Sequence, residues 1–350
     1  AYIEQEDVKF IRLAFCDLAG RQKNISIMPQ ELSRAFSQGI SFDASAVAGF
    51  GDVVESDLYL FPIPSTLSLM PWRPSRGKVV RMFCNIRYPD GRPFPLDCRA
   101  LLGRAIREAQ DLGLSVQIGA EFEFYLFKTD VDGNPTTQPF DHAGYMDMAP
   151  EDKGENVRRE ICLTLESMGI LPECSHHEEG PGQNEIDFRY SDAMTAADNA
   201  LLFASTVRAV AVSNGLYADF SPKPIAGEAG NGLHINISLL QRGDQPVTQY
   251  FMAGILDHIR EMTAFLNPSE ASYRRLGEKK APRFVTWSPE NRSQLIRIPA
   301  AQGQYKRMEL RSPDPGVNPY LAYALVIFAG LDGVKRKLLP PDPVNANLYT

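Results

Sequence analysis

Polar and apolar positions alternate with a period of two along residues 118–127, I-G-A-E-F-E-F-Y-L-F. That period predicts a strand with Glu121 and Glu123 on one face and Phe122 and Phe124 on the other. The same rhythm recurs. In residues 232–239, His234, Asn236 and Ser238 share one face, and Leu233, Ile235 and Ile237 the other. Arg307, Glu309 and Arg311 alternate with Met308 and Leu310, Glu185 and Asp187 with Ile186 and Phe188, and Arg297 sits between Ile296 and Ile298. These are antiparallel-type strands with one apolar and one polar face. A half-buried sheet with a solvated outer side accounts for the period by itself.

The other elements follow from the same reading. Residues 8–15 predict a strand, with 24–27 returning antiparallel after the D-L-A-G turn. Leu32, Ala35 and Phe36 share a helical face that stops at Gly39. The small residues of 42–50 suggest a loop. Strands are expected at 57–61 and 79–86. From Asp97, a helix cap, the pattern changes to helices near 98–112, 155–168, 191–215 with Ser191 as cap, 250–266 and 319–337. Between them lie a polar loop at 130–153, a strand–turn–strand at 171–190, and strands at 291–299 and 304–311. The expected class is α+β, with a small strand-rich unit over 1–95 and a larger unit over 96–350.

Composition narrows the function classes. The 350 residues are 44% hydrophobic and 23% charged, as in ordinary globular proteins. A net charge of −7 gives no bulk attraction to nucleic acid or an anionic membrane. No apolar run is long enough for a membrane span, and no signal peptide is visible. Five scattered cysteines without C-x-x-C spacing suggest reduced thiols and a cytoplasmic setting.

The polar faces carry Glu, His, Arg, Asn and Gln rather than Lys, Thr and Ser. Carboxylates with one imidazole suit Mg2+ or Mn2+ better than structural zinc. Interleaved arginines suit oxyanions beside metals, and the two together are the requirements of phosphoryl transfer. Singly, each signal has a plain alternative: His176-His177 as a surface pair, G-N-G at 230–232 as a turn, Arg274-Arg275 as a solvated pair, Tyr145 as loop packing.

Together the motifs are recognisable. F-D-A-S (42–45), G-A-E-F-E-F (119–124), G-Y-M-D-M-A-P (144–150), S-H-H-E-E-G-P-G-Q-N-E-I (175–186), G-N-G-L-H-I-N-I-S (230–238), N-R-S-Q-L-I-R-I-P (291–299) and R-M-E-L-R-S-P-D-P-G-V-N-P-Y-L (307–321) occur in this order. The chain resembles glutamine synthetase of the bacterial type I form over nearly its whole length. The resemblance implies an N-terminal β-grasp domain and a catalytic domain built on a curved antiparallel sheet backed by helices. It implies a double-ring homo-oligomer, a dodecamer, with active sites between subunits. It also implies ATP, two or more divalent ions per site, and formation of glutamine from glutamate and ammonia through a γ-glutamyl phosphate.

Carried over by position, the resemblance makes Glu123, Glu178 and Glu185 ligands of one metal, and Glu121, His234 and Glu309 ligands of the second. It makes Arg275, Arg311 and Gly230 contacts to the amino-acid substrate. Arg292 and Arg297 match the arginines on the transferred phosphate and nucleotide. Glu173, Asn236, Ser238 and Arg307 fall with the ATP contacts. Asp43 matches an aspartate that reaches the ammonium site of the adjacent subunit.

Three positions depart from the family pattern. Where it has R-L-V-P-G-Y-E-A-P, residues 275–282 read R-L-G-E-K-K-A-P, one residue shorter, with Lys280 in place of the acidic residue. A cation there repels ammonium, and Glu278 substitutes only if the loop turns it inward. Ala229 replaces an asparagine that contacts glutamate, and Asn236 replaces a histidine. The sequence ends at N-A-N-L-Y-T, short of the family's helical C-terminal region. Ammonia is the expected acceptor. A different amine or carboxylate, a non-catalytic homologue and a guanidino phosphotransferase are the alternatives, and the filled ligand positions disfavour the non-catalytic one.

Overall fold

The computed structural model describes residues 2–349 apart from 52, 73–75, 242–246, 302 and 304–305. A short helix, α1 (Tyr2–Gln5), leads into the antiparallel hairpin of β1 (Val8–Cys16) and β2 (Gln22–Ile27). Next come α2 (Leu32–Ser37), β3 (Ile40–Asp43), β4 (Asp57–Pro62), β5 (Ser68–Leu69) and β6 (Lys78–Arg87). The sheet order is β2-β1-β6-β4-β3, with β5 on β6 and with β1 parallel to β6. Its core holds Ile11, Leu13, Ala35, Leu60, Val80 and Met82.

Residues 42–50 are not wholly loop. Ile40 is buried opposite Leu60, and this pairing carries the strand through Phe42 to Asp43. The chain turns only afterwards, where the Asp43 carboxylate accepts from Ser45 N at 2.9 Å. Phe36, expected on the buried face of α2, is 41% exposed.

The second unit begins with α3 (Cys98–Asp111), β7 (Leu114–Thr129), β8 (Pro135–Pro139) and α4 (Glu155–Ser167). It continues with β9 (Pro172–His177), β10 (Gln183–Phe188), β11 (Ser191–Asp192), α5 (Ala193–Ser213), β12 (Leu216–Asp219) and β13 (Leu233–Gln241). α6 (Val247–Leu266), α7 (Glu270–Arg275), β14 (Trp287–Pro289), β15 (Ile296–Ile298), β16 (Met308–Leu310) and α8 (Pro319–Arg336) complete it. The sheet order is β14-β15-β16-β13-β7-β10-β9. The sixteen-residue β7 also pairs with β8, β11 and β12. One edge pair, β14 with β15, is parallel. The α+β class therefore holds.

The differences have local causes. Asp192, not Ser191, caps α5, because its carboxylate accepts from Met194 N and Thr195 N while Ser191 pairs with Ile118. The loop at 130–153 contains β8, an edge strand bounded by prolines. The strand expected at 291–299 shrinks to β15, because Asn291 turns its side chain back onto Ser293 N. Of the strand expected at 304–311, residues 304 and 305 lie outside the described residues, and the rest shortens to β16, with Lys306, Arg307 and Arg311 outside it.

Helices α3 and α5 cover the apolar side of β7, and α8 packs against α3, α5 and α6. Phe122, Phe124, Ile186, Leu233, Ile235 and Ile237 are buried there with Phe203 and Val207 of α5. Asn318 joins the two units. Its side chain caps α8 and also donates to the carbonyls of Asp17 and Leu18 in the β1–β2 turn. Gly20, at φ +75°, permits this approach, since a Cβ there would sit 2.7 Å from Asn318 Cα. Among the described residues, no helix is long and apolar enough to cross a membrane.

Candidate active site

The apolar side of the larger sheet is covered by helices, and its other face gathers the acidic side chains. The register does this directly. Glu123 lies opposite Glu185, and Glu121 lies between Asp187 on β10 and His234 on β13. Glu309 lies between Asn236 and Arg297. Directly opposed residues have Cβ atoms about 5 Å apart, so polar residues of one parity must meet.

Two regions of different charge result. In the first, His234 Nδ1 is 3.0 Å from Glu121 Oε2, and Asn236 Nδ2 donates to Glu121 Oε1 at 2.7 Å. Glu309 accepts from Arg297 Nη1 at 2.7 Å and from Arg311 Nη1. Burial works to raise the Glu121 carboxyl, but His234, Asn236 and Arg311 outweigh it and hold it down to about 2. Glu309 is likewise held low: burial opposes ionisation, and Arg311, His234 and Arg297 more than offset it.

The second region lacks that compensation. Burial pushes the Glu185 carboxyl well up, and Asp187, Glu123, Glu121 and Glu178 push it further. Asp187 is raised to about 7 by burial and by Glu121. Glu178 is raised by burial and Glu123. Glu123 accepts from Gly232 N at 2.7 Å and from Gln183 Nε2 at 3.3 Å. His176 Nε2 lies 3.3 Å from Glu185. Ligand atoms of Glu121, His234 and Glu309, of Glu123, Glu185 and His234, and of His176, Glu178 and Glu185 each fall within 4.8 Å of one another. Buried carboxylates that raise one another, with hard oxygens converging, fit a divalent cation.

The remaining expected residues are placed as follows. Arg275 is buried and donates Nη1 to Ser312 O at 2.8 Å. Gly230 must be glycine, because a Cβ would meet the Pro222 carbonyl and lie 2.9 Å from Arg275 Cγ. Arg307 Nε donates to Asn236 Oδ1 at 3.0 Å. Ser238 continues the polar face of β13 at the row of Gln117. Glu173 and Arg292 are exposed, on β9 and after β14. Asp43 is not brought to this face: it is exposed on the N-terminal unit and bonded to Ser45.

Lys280 enters from the shortened loop. Its Nζ lies 2.9 Å from Glu179, 3.8 Å from Glu178 and 4.8 Å from the centre of the Tyr145 ring. Glu278 does not turn inward; it pairs with Lys223 at 3.1 Å. The Tyr349 hydroxyl lies 2.9 Å from the Lys280 carbonyl oxygen and 2.6 Å from that of Arg292, bridging the two segments. A cavity of about 740 Å³ opens here, between Tyr145, Glu228, Lys279 and Lys280.

Sequence reasoning missed Gln183, Asp187 and His176 as site residues. Gln183 and Asp187 share the parity of Glu185, which was the available signal. His177, by contrast, faces away and pairs with Asp141 at 2.8 Å, fixing the loop that carries Tyr145.

A small mixed-sheet unit joined to a helix-backed sheet whose polar face concentrates carboxylates and arginines fits an enzyme that handles oxyanions beside divalent cations. Residues 7–89 match the model of the glutamine synthetase beta-Grasp domain and residues 95–350 that of the glutamine synthetase catalytic domain, so this chain belongs to the glutamine synthetase family. It is 46% identical to the glutamine synthetase of Methanosarcina mazei, over 99% of this chain and 80% of that protein. Identity to the glutamine synthetase of Clostridium saccharobutylicum is also 46%, over 99% and 81%. Among solved structures, one described as a GmaS/ADP complex superposes with a TM-score of 0.90 at 29% identity, covering 99% of this chain and 84% of that one. The cryoEM structure of Plasmodium falciparum glutamine synthetase gives 0.89 at 27% identity, over 99% and 76%.

Proposed function

We propose that this protein forms glutamine from glutamate and ammonia, with ATP phosphorylating the γ-carboxylate before the amine displaces phosphate. The observation that carries this is the convergence of Glu121, Glu123, Glu178, Glu185, His234 and Glu309 on one buried polar face, with Arg297 and Arg311 beside them. In the proposal, Glu123, Glu178 and Glu185 hold one Mg2+ or Mn2+ and Glu121, His234 and Glu309 a second. Bound there, the ions neutralise phosphate oxygens.

The chain's own groups do the rest. Arg297 and Arg311 keep Glu309 ionised and present cations to anionic substrate groups. Asn236 and Arg307 form a polar ledge, together with Ser238 and Glu173, for the nucleotide. Arg275 and Gly230 shape the wall of the amino-acid site, and Arg292 borders its mouth. Asp43, exposed and remote from this chain's own acidic face, is assigned to a neighbouring subunit's site in a double-ring assembly. The unit division near residue 95 and a cytoplasmic location belong to the same proposal. The latter rests on five unpaired cysteines, which reducing compartments maintain.

One observation favours a second reading, with an amine other than ammonia as acceptor. Lys280 places a cation at Glu178 and Glu179, and Glu278 is committed to Lys223. Phosphate release from ATP, with Mg2+ and glutamate, against ammonium and then a panel of amines separates the readings. Turnover with ammonium at millimolar concentrations supports the first. Turnover only with larger amines supports the second, and none with any acceptor overturns both.

A further inference from the structure

A second cavity, of about 670 Å³, lies where the N-terminal sheet meets helix α5, apart from the acidic face. Four arginines line it: Arg12 and Arg81 from adjacent strands β1 and β6, Arg21 from the β1–β2 hairpin, and Arg208 from α5. Trp72, Phe122, Gln22 and Asn24 also line it, and no carboxylate does among the described residues.

Arg81 is the unusual member. It is 3% exposed, yet its Nε and Nη1 have no hydrogen-bond partner among the described residues. Among the described residues its guanidinium makes one hydrogen bond, a long one from Nη2 to the Thr66 carbonyl at 3.4 Å. The guanidinium carbon lies 3.9 Å from the centre of the Phe83 ring, so an aromatic face and not an acid is its close neighbour on that side. The acidic group that acts on it most, Asp198, is already committed: it accepts from both Arg99 nitrogens at 3.0 and 2.9 Å and from the Tyr320 hydroxyl at 2.6 Å. Desolvation pulls the Arg81 guanidinium down to about 10, the sign of a buried cation without its counter-ion. At the other end, Arg21 and Arg208 are exposed, so the cavity has a cationic mouth leading to a buried cationic floor.

We infer that this inter-unit cavity is a binding site for a small multivalent anion, a phosphate or a dicarboxylate, held at its floor by Arg81. Four guanidiniums around one cavity, with no carboxylate among its lining, match an oxyanion that carries more than one charge. A volume of this size accepts a metabolite-sized ligand. Because the site touches both units, its ligand favours their docked arrangement, and the effect is read as stability.

The test is binding to the full chain, so its outcome does not depend on the proposed ligase reaction. Thermal unfolding and titration calorimetry are run with inorganic phosphate, with succinate, and with chloride at matched ionic strength. Since the acidic-face arginines also attract anions, the series is repeated in Arg311→Met. The expected result is a saturable rise in Tm with phosphate or succinate that persists in Arg311→Met. Arg81→Met should weaken it at least about tenfold, the scale of a lost charge-assisted hydrogen bond. In chloride, Arg81→Met should melt no lower than wild type, because it removes an unpaired buried charge. Arg208→Gln, at the exposed mouth, gives a second variant and should weaken binding to a smaller degree. A response to phosphate alone marks a phosphoryl ligand, and to succinate alone a dicarboxylate. No saturable response to either anion, or one unchanged in Arg81→Met and Arg208→Gln, overturns the inference.

Discussion

The Lys280 ammonium lies 2.9 Å from the Glu179 carboxylate, and the neighbouring Glu178 is one of the proposed metal ligands. The contact sets a fixed cation where a positively charged acceptor would approach. Burial works against the Lys280 charge, but Glu179 and Glu178 outweigh it and raise its pKa, so it stays charged at neutral pH. Replacing it with alanine should lower the KM for ammonium about three- to tenfold, the scale of one partly screened like charge. The KM for ATP should hardly change. Steady-state kinetics with each substrate varied in turn checks this, and an unchanged ammonium KM would remove Lys280 from the acceptor path.

Glu309 anchors the first charge region. Glu309→Ala removes one proposed ligand and leaves Arg297 and Arg311 facing each other without their shared carboxylate. Breaking such a buried pair costs about 3–5 kcal/mol, which a core this large should survive. The expected outcome is a native far-UV spectrum, Mn2+ stoichiometry reduced by one, and activity lost. Full activity in this variant would show the ligand assignment to be wrong.

Asn318 couples a helix cap to the contact between the two units. Asn318→Ala removes the cap and leaves the Asp17 carbonyl without this donor, so it should destabilise by about 1–3 kcal/mol. Urea unfolding measures it. The surface cap Asp192→Ala should cost only about 1 kcal/mol, which makes it a control for capping alone.

His258 gives a pH signature away from the acidic face. It lies between Glu261 and Asp332, which Arg336 also contacts together with Asp257, and so ties α6 to α8. Hydrogen bonds to Asp332 and Glu261 raise its pKa above 6.5. A raised folded-state value means the protonated imidazole stabilises the fold fully below the unfolded pKa, and the contribution fades as pH rises through the folded one. Wild type should therefore exceed His258→Gln in Tm most clearly below pH 6.5, and the gap should close on going upward. A gap that widens with pH would contradict the assignment.

Much of this was legible in the sequence because strand parity carries over to space. Glu121, Glu123, Glu185, His234 and Glu309 were each set on a polar face by alternation with buried neighbours, and pairing then aligned those faces. Asp187 followed the same parity but did not stand out from a motif. What stayed hidden depends on contacts between distant segments. Nothing near residue 280 indicates that Lys280 reaches Glu179, because that contact is set by the loop's path. Similarly, Arg81 reads as an ordinary polar residue in a strand until its missing partners are visible. The short elements β8, β12 and β14 escaped because each is held mainly by its neighbouring strand, β7 or β15, and not by its own pattern.

The most direct test of the central claim follows one oxygen atom. Glutamate labelled with 18O in its γ-carboxylate is incubated with the protein, ATP, Mg2+ and ammonium, and the released phosphate is examined by mass spectrometry. A γ-glutamyl phosphate intermediate transfers one labelled oxygen to phosphate for each glutamine formed. Phosphate without label, alongside ATP consumption, would contradict the proposed ligase chemistry.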